Sequence, residues 1–287
     1  MSGSAERAET GTPADDAMAL LRGIGQAPSA PFDIGEAALA LAALDRPQVA
    51  LDRYRLHLAD IARTVAEAAE DGNHTAAGRV TMLTAVLHRR EGYRGDADTY
   101  DDLQNANLMR VIDRRRGLPV ALGILYLHAA RAQGWRAHGL AFPGHFLIAL
   151  DAGTQRTVLD PFSGKPVAGA SALRVLLKSV VGAGAELTPD CCTILDDRRV
   201  LLRLLNNMKT RLAAQGQFRK AVAVTERMLL IVPEETSLYR ELGIFHAEAG
   251  NLKAAIEALD TFVATTRDEE ARHIAAALAQ KIAARLN

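Results

Sequence analysis

The sequence predicts an α+β protein, mostly helical, in which a small antiparallel sheet lies between a layer of N-terminal helices and a C-terminal set of helical hairpins. Three observations carry that prediction. Residues 119–133 form an apolar, helix-length stretch that is followed by three short strand-like runs. Helical periodicity dominates residues 33–89. Near the C-terminus a short pattern recurs, with Gly216 and Gly250 placed 34 residues apart.

The stretch 119–133 is apolar nearly all round, with Val120, Leu122, Ile124, Leu125 and Leu127, which marks a buried helix. Pro119 suits its first turn, where no N–H is needed, and Gly134 suits its stop. Residues 136–142, 145–151 and 157–162 read as strands, separated by Pro143-Gly144 and by a loop over 152–155. That loop pairs Asp151 with Arg156 and sets Leu147 opposite Asp160. His145 then shares a face with Leu147 and lies diagonal to Asp160, roughly 7 Å away at the backbone and within side-chain reach. A register slip of one residue would put the two on different faces.

A strand histidine oriented by a carboxylate supplies two members of a nucleophilic triad. The third would be a cysteine or serine at the start of the buried helix, where the helix dipole lowers a thiol's pKa. Gly117-Leu118-Pro119-Val120 occupies that place.

The segments Arg114-Arg115-Arg116-Gly117-Leu118-Pro119-Val120, Phe142-Pro143-Gly144-His145-Phe146-Leu147 and Leu159-Asp160-Pro161-Phe162 resemble the transglutaminase-like (papain-like) core of a bacterial family, the SirB-one family. In that family the core is followed by tetratricopeptide repeats. The resemblance covers the chain from about Asp33 onward. It implies that His145 and Asp160 match the catalytic histidine and aspartate, and that Pro119, or Val120 if the alignment shifts by one, stands where the cysteine belongs. It also aligns Asn105-Ala106 with an Asn-Ser pair in a loop leading into the next helix. Asn105 is therefore expected to hold that loop against the pocket, and its amide is a candidate ligand contact.

The remaining pocket candidates are Arg115, Pro119, Gly144 and Phe162. Three adjacent arginines cannot all point one way on a helix, so at least one of Arg114, Arg115 and Arg116 is solvated. Another could reach the His145 face and hold an anionic group, with solvated charge plus one structural ion pair as the plainer reading. Gly144 belongs to the turn that presents His145.

The chain has 287 residues, enough for one large or two ordinary domains. Lys plus Arg and Asp plus Glu both number 34, so no global field favours nucleic acid or an anionic membrane. No apolar run approaches the ~20 residues of a membrane span, and residues 1–16 lack a signal peptide's apolar centre, so a cytoplasmic protein is expected. The two cysteines, Cys191 and Cys192, are adjacent and match neither a long-loop disulfide nor a zinc spacing. Asp96, Asp98, Asp101 and Asp102 lack the spacing of a calcium loop and read as turn caps in a solvated loop. No metal or cofactor is expected.

The expected organisation is a flexible tail over 1–30 with at most a short helix near 17–22, then an N-terminal helical layer over 31–90. Within that layer Leu51, Tyr54, Leu58, Ile61, Val65 and Ala68 share one face, and Asp71-Gly72-Asn73 ends the helix. The core spans 91–190, with a further helix over 173–181. Residues 198–287 hold the repeats, whose 34-residue period is that of tetratricopeptide helix pairs. A capping helix over 268–286 closes them, with Ile274, Leu278 and Ile282 on one face.

Functionally, the missing nucleophile and the repeats favour a non-catalytic module that binds a protein or peptide partner. The alternative is an amide-bond hydrolase or transferase in which His145 and Asp160 use Cys191 or Cys192, or activate water. Nucleic-acid binding would need basic residues gathered on one surface and stands last.

Overall fold

The computed structural model describes residues 12–70 and 72–285. The expected mobility of residues 1–11, the breaker Asp71 and the helix end at Leu286 lie outside them. Helix α1 (Pro13–Gln26) starts at a reciprocal capping box between Thr12 and Asp15. Asp33 caps α2 (Ile34–Leu44), and α3 (Asp52–Glu70) follows. Helix α4 (Ala76–Leu83) runs on as a π-helical turn over Thr84–Arg90. A two-residue strand β1 (Arg94–Gly95) leads to a 3-10 turn (Leu103–Ala106), α5 (Leu108–Arg114) and β2 (Arg116–Gly117), which pairs in parallel with β1. Helix α6 (Pro119–Ala132) comes next, with eleven of its residues buried.

Strands β3 (Arg136–Leu140), β4 (Leu147–Ala152), β5 (Gln155–Asp160) and β6 (Lys165–Val167) follow, then α7 (Gly169–Val181) and β7 (Ile194–Leu195). The sheet is antiparallel with order β6-β5-β4-β3-β7. Alternation along β4 divides two cores. Ile148 and Leu150, with the preceding Phe146, join the main core that holds α6. Leu147 and Ala149 join a second layer with Leu140, Phe142, Leu177 and Cys191.

The predicted register holds. Asp151 pairs with Arg156 and Ile148 with Leu159. The ladder extends to Ala152 and Gln155, which shortens the turn to Gly153-Thr154, with Gly153 at φ 59°. His145 is not in a strand, however; β3 ends at Leu140 and β4 begins at Leu147. The reason is a tertiary contact: Arg203 takes the carbonyls of Phe142 and His145 as acceptors, so these groups bond to a side chain instead of a neighbouring strand.

The C-terminal segment is all helical: α8 (Asp197–Ala214), α9 (Phe218–Ile231), α10 (Thr236–Glu248), α11 (Leu252–Thr265) and α12 (Glu269–Ala283). Gly216 and Gly250, at φ 69° and 83°, make the equivalent turns of two hairpins. Helix α12 packs on α11, as a closing helix should, but through Ala275, Ala279 and Ile282. Ile274, placed on the buried face by its spacing, is 61% exposed. Leu278 packs half-buried against the same contact and Ile282 is buried in it, so of the three only Ile274 faces solvent.

The N-terminal expectation is corrected too. Residues 13–26 are not a tail with a short helix but a 14-residue helix that buries Ala17, Leu21, Ile24 and Gly25. It packs against α2 and α9, and Arg198 of α8 donates to the carbonyls of Ile24, Ala27 and Pro28 at its end. Helix α1 therefore joins the first hairpin to the helical layer.

Candidate functional site

Leu118 and Pro119 open α6, and their position is fixed from below. The Leu118 N–H donates to the Asn105 carbonyl at 2.9 Å. Asn105 is fully buried. Its amide donates to the Thr99 carbonyl at 2.7 Å, and its side-chain oxygen accepts from Arg114 at 2.9 Å. Asn105 thus braces the loop against α6, with its amide enclosed between Thr99 and Arg114.

Arg114 continues the brace to Asp96 at 2.8 Å. Asp96 is not a solvated turn cap but 2% exposed. Burial alone would raise its carboxyl pKa, yet hydrogen bonds from Thr99 and Arg114 outweigh that and hold it at about 2. The other aspartates are spent singly: Asp98 on Arg116, Asp101 on Arg211 and Asp102 on the Gln104 N–H. Among the described residues no three His, Cys, Asp or Glu side chains converge to hold a metal ion.

His145 follows Gly144, whose φ of 67° is the left-handed turn that aims the ring. The ring's Nε2 lies 2.8 Å from Asp160 Oδ1. That oxygen also accepts from the Phe162 N–H at 2.9 Å, and Oδ2 accepts from Ser163 at 2.6 Å. Burial opposes ionisation of Asp160, but the bonds from His145, Ser163 and Phe162 prevail and lower its pKa. An ionised Asp160 makes Nε2 the donor, so the neutral ring keeps Nδ1 as its free acceptor. Phe162 stands edge-on to His145, with ring centroids 5.9 Å apart. A Cβ at Gly95 would lie 2.3 Å from that phenyl ring, so glycine at 95 is what lets Phe162 close on the histidine.

Pro119, Val120, Gly144 and His145 line one small cleft of about 30 Å³, together with Tyr100, Phe146, Arg203 and Asn207. It has room for about one water or the tip of a ligand group. The start of α6 and the histidine, some 25 residues apart in sequence, therefore line one cleft.

One candidate lies elsewhere and one residue was not foreseen. Arg115 does not reach the cleft. It sits at φ 57° past the end of α5, bonds to His57 at 2.6 Å and to Tyr93, and pairs with Glu91 at 3.3 Å. The cleft's cation is Arg203 of α8, which sequence reasoning missed. Its guanidinium donates to the carbonyls of Phe142 and His145, and burial pushes its pKa down from the usual value. The only sequence signal for it is its place beside the buried stripe of Val200, Leu201 and Leu204 in α8.

The cysteines lie elsewhere. Cys191 is buried in the second layer beside Leu140 and Leu147, with Thr188 Oγ1 at 3.5 Å from its sulfur. Burial and the neighbouring Cys191 raise the pKa of Cys192, against a weaker pull from Arg156. Neither lines the His145 cleft.

Among the described residues no helix is long and apolar enough to cross a membrane. Residues 208–283 match the tetratricopeptide repeat family. Among relatives, a UPF0162 protein of Xylella fastidiosa is 29% identical over 188 residues, 64% of this chain and 67% of that one. A UPF0162 protein of Vibrio cholerae is 27% identical over 233 residues, 81% of this chain and 86% of that one. Protein SirB1 of Salmonella typhimurium is 24% identical over 186 residues, 64% of this chain and 69% of that one. A solved structure of menin aligns at 11% identity over 88% of this chain and 70% of that one, with a TM-score of 0.40 that carries no argument about fold. The Transglutaminase-like superfamily matches residues 52–206, more than half of the sequence and every residue lining the His145 cleft except Asn207, and the chain belongs to that superfamily.

Proposed function

We propose that the chain is a binding protein on a transglutaminase-like fold, whose cleft recognises a segment of a protein or peptide partner without cleaving it. The observation that carries this reading is Pro119 at the first turn of α6, with Val120 beside it, in the cleft that holds His145. A thiol there would stand at a helix N-terminus beside an imidazole, the setting that activates it; a pyrrolidine ring and an isopropyl group have no proton to give up. Cys191 belongs to the second layer of the sheet, neither cysteine lines the cleft, and the raised pKa of Cys192 keeps that thiol protonated at neutral pH.

The binding role is supported from two sides. Arg203, spent on carbonyls rather than on a carboxylate, leaves a positive charge at the cleft that suits an acidic group. The repeats matched over 208–283 are of a kind that generally mediates protein interactions. In this reading residues 91–190, with Arg203 and Asn207 of α8, supply the cleft and the rest of residues 198–287 a partner surface. A cytoplasmic location fits the two unpaired cysteines.

The 2.8 Å His145–Asp160 pair favours a second reading, in which the pair activates water against an amide. One experiment separates the two. Fluorescein-labelled acidic, neutral and basic peptides containing glutamine are followed by anisotropy for retention and by ammonia and amine release for turnover. The binding reading expects retention of acidic peptides, weakened in Arg203→Gln, with no release above the blank. Release that disappears in His145→Ala establishes the enzyme instead, and absence of both retention and release overturns both.

A further inference from the structure

A second cleft, of about 350 Å³, opens where the end of α2, the Leu103–Ala106 turn, α5 and the first hairpin meet. Its volume falls in the ~300–1,000 Å³ range of small-molecule sites. It is separate from the His145 cleft and shares no lining residue with it. Leu103, Met208, Leu212 and Val224 form an apolar floor, of which the last three are at most 8% exposed.

The rim is basic. Arg46, Arg110, Lys220 and Arg227 face it, against the single carboxylate of Asp45. Asp45 is taken by Arg227 at 2.6 Å, and Arg46 is satisfied by Asp113 at 3.1 Å. That leaves two exposed cations. Lys220 donates one hydrogen bond to the neutral Gln217 side-chain oxygen at 2.8 Å, and Arg110, whose backbone N–H donates to the Asn107 cap of α5, is exposed. Asn107 offers nothing more, because its amide donates to the Ala42 carbonyl. On a chain with zero net charge this concentration of positive charge is local.

We propose that this cleft binds a small amphipathic anion, with its apolar body on the Leu103–Met208–Val224 floor and a carboxylate or phosphate head at the Arg110 and Lys220 rim. The floor rewards burial of an aliphatic or aromatic body. The rim rewards the head, and against an apolar wall those cations are less screened than on open surface. A neutral body of the same size gains only the first contribution, and a small inorganic anion only the second. The ligand would touch the helical layer, the core and the first hairpin together, so its binding strengthens their junction. The proposal stands independently of the role of His145.

The test is isothermal titration of the full chain with decanoate, decyl phosphate and 1-decanol. The expected result is one-site binding of at least one of the two anions, with 1-decanol weaker by at least about tenfold, or about 1.4 kcal/mol. Decanoate ahead of decyl phosphate marks a carboxylate ligand, and the reverse order a phosphate. Arg110→Glu with Lys220→Glu, both at exposed positions, weakens the anion by at least about tenfold, while His145→Ala leaves it unchanged. Ala223→Trp, which places an indole over the cleft wall, abolishes binding; if that variant fails to fold, the charge reversals decide. The proposal is overturned if neither anion binds, if 1-decanol binds as tightly, or if binding survives the double reversal.

Discussion

Replacing Asp160 separates its charge from its shape. The carboxylate accepts three hydrogen bonds, from His145, the Phe162 N–H and Ser163, and is only 8% exposed. Asparagine can keep all three contacts: its oxygen takes the place shared by His145 and Phe162, and its amide turns to the Ser163 hydroxyl. What it loses is charge. Charge-assisted bonds are worth about 1.5–3 kcal/mol against about 1 for neutral ones, so the three together fall by at least about 1.5 kcal/mol in Asp160→Asn. Alanine strands the buried His145 and Phe162 donors and costs about 3–5 kcal/mol. The pH dependence has a definite sign. Because the folded state lowers the Asp160 pKa, its contribution is complete above the unfolded carboxyl value of about 3.9 and is lost as pH falls through the folded value. Urea-unfolding midpoints followed by circular dichroism should show a wild-type advantage over Asp160→Asn that is constant from about pH 7 to about pH 5 and closes below about pH 4. Equal midpoints at neutral pH, or a gap that widens on acidification, would refute the account of Asp160 as an ionised acceptor.

Three further outcomes follow from the packing. A Cβ at Gly25 would lie 2.1 Å from the Leu230 carbonyl oxygen, so Gly25→Ala lifts α1 from α9 and lowers stability by about 1–3 kcal/mol, read as a drop in Tm; an unchanged Tm would mean that α1 docks elsewhere. Glu241 accepts from Lys209, whose side chain is 5% exposed, so Glu241→Leu leaves a buried ammonium without its carboxylate and costs about 2 kcal/mol in the same unfolding assay. Alkylation of Cys192 by iodoacetamide should be slow at neutral pH, rise only above the ordinary thiol range of about 8.5, and be identical in His145→Ala. Fast labelling at mildly acidic pH that His145→Ala abolishes would revive a cysteine-dependent enzyme.

The parts of the fold legible in the sequence are those written in local pattern. An all-round apolar stretch between Pro119 and Gly134 could only be a buried helix, and it is α6. Two-residue alternation and turn residues set the β4–β5 register, and with it the approach of His145 to Asp160. The recurrence of glycine at 216 and 250 gave the two hairpins. What stayed hidden is set by partners far away in sequence. Helix α1 has a capping box and only a few large apolar positions, and its burial depends on α9, some 200 residues on. The arginine triplet looked like the natural source of a cleft cation, but the left-handed turn at Arg115 sends that side chain to His57 and Tyr93, and Arg203 arrives from α8 instead. Nothing within residues 114–116 distinguishes those outcomes.

The retention of His145 and Asp160 beside Pro119 has a structural explanation that needs no catalysis. Asp160 ends β5 and pins the turn at Phe162 and Ser163, while the carbonyl of His145 is one of the two acceptors that hold Arg203 of α8. Phe162 closes over the ring, and its carbonyl accepts from Gly95 at 2.8 Å, which ties β1 to the end of the sheet. The histidine region thus joins the sheet, the β1 loop and the first C-terminal helix at one point. None of these bonds involves the first turn of α6, whereas losing Asp160 or Arg203 would strand buried donors or acceptors. Under the binding function proposed above, the bonds around Asp160 and Arg203 would hold the cleft in shape, with the Arg203 charge at its edge.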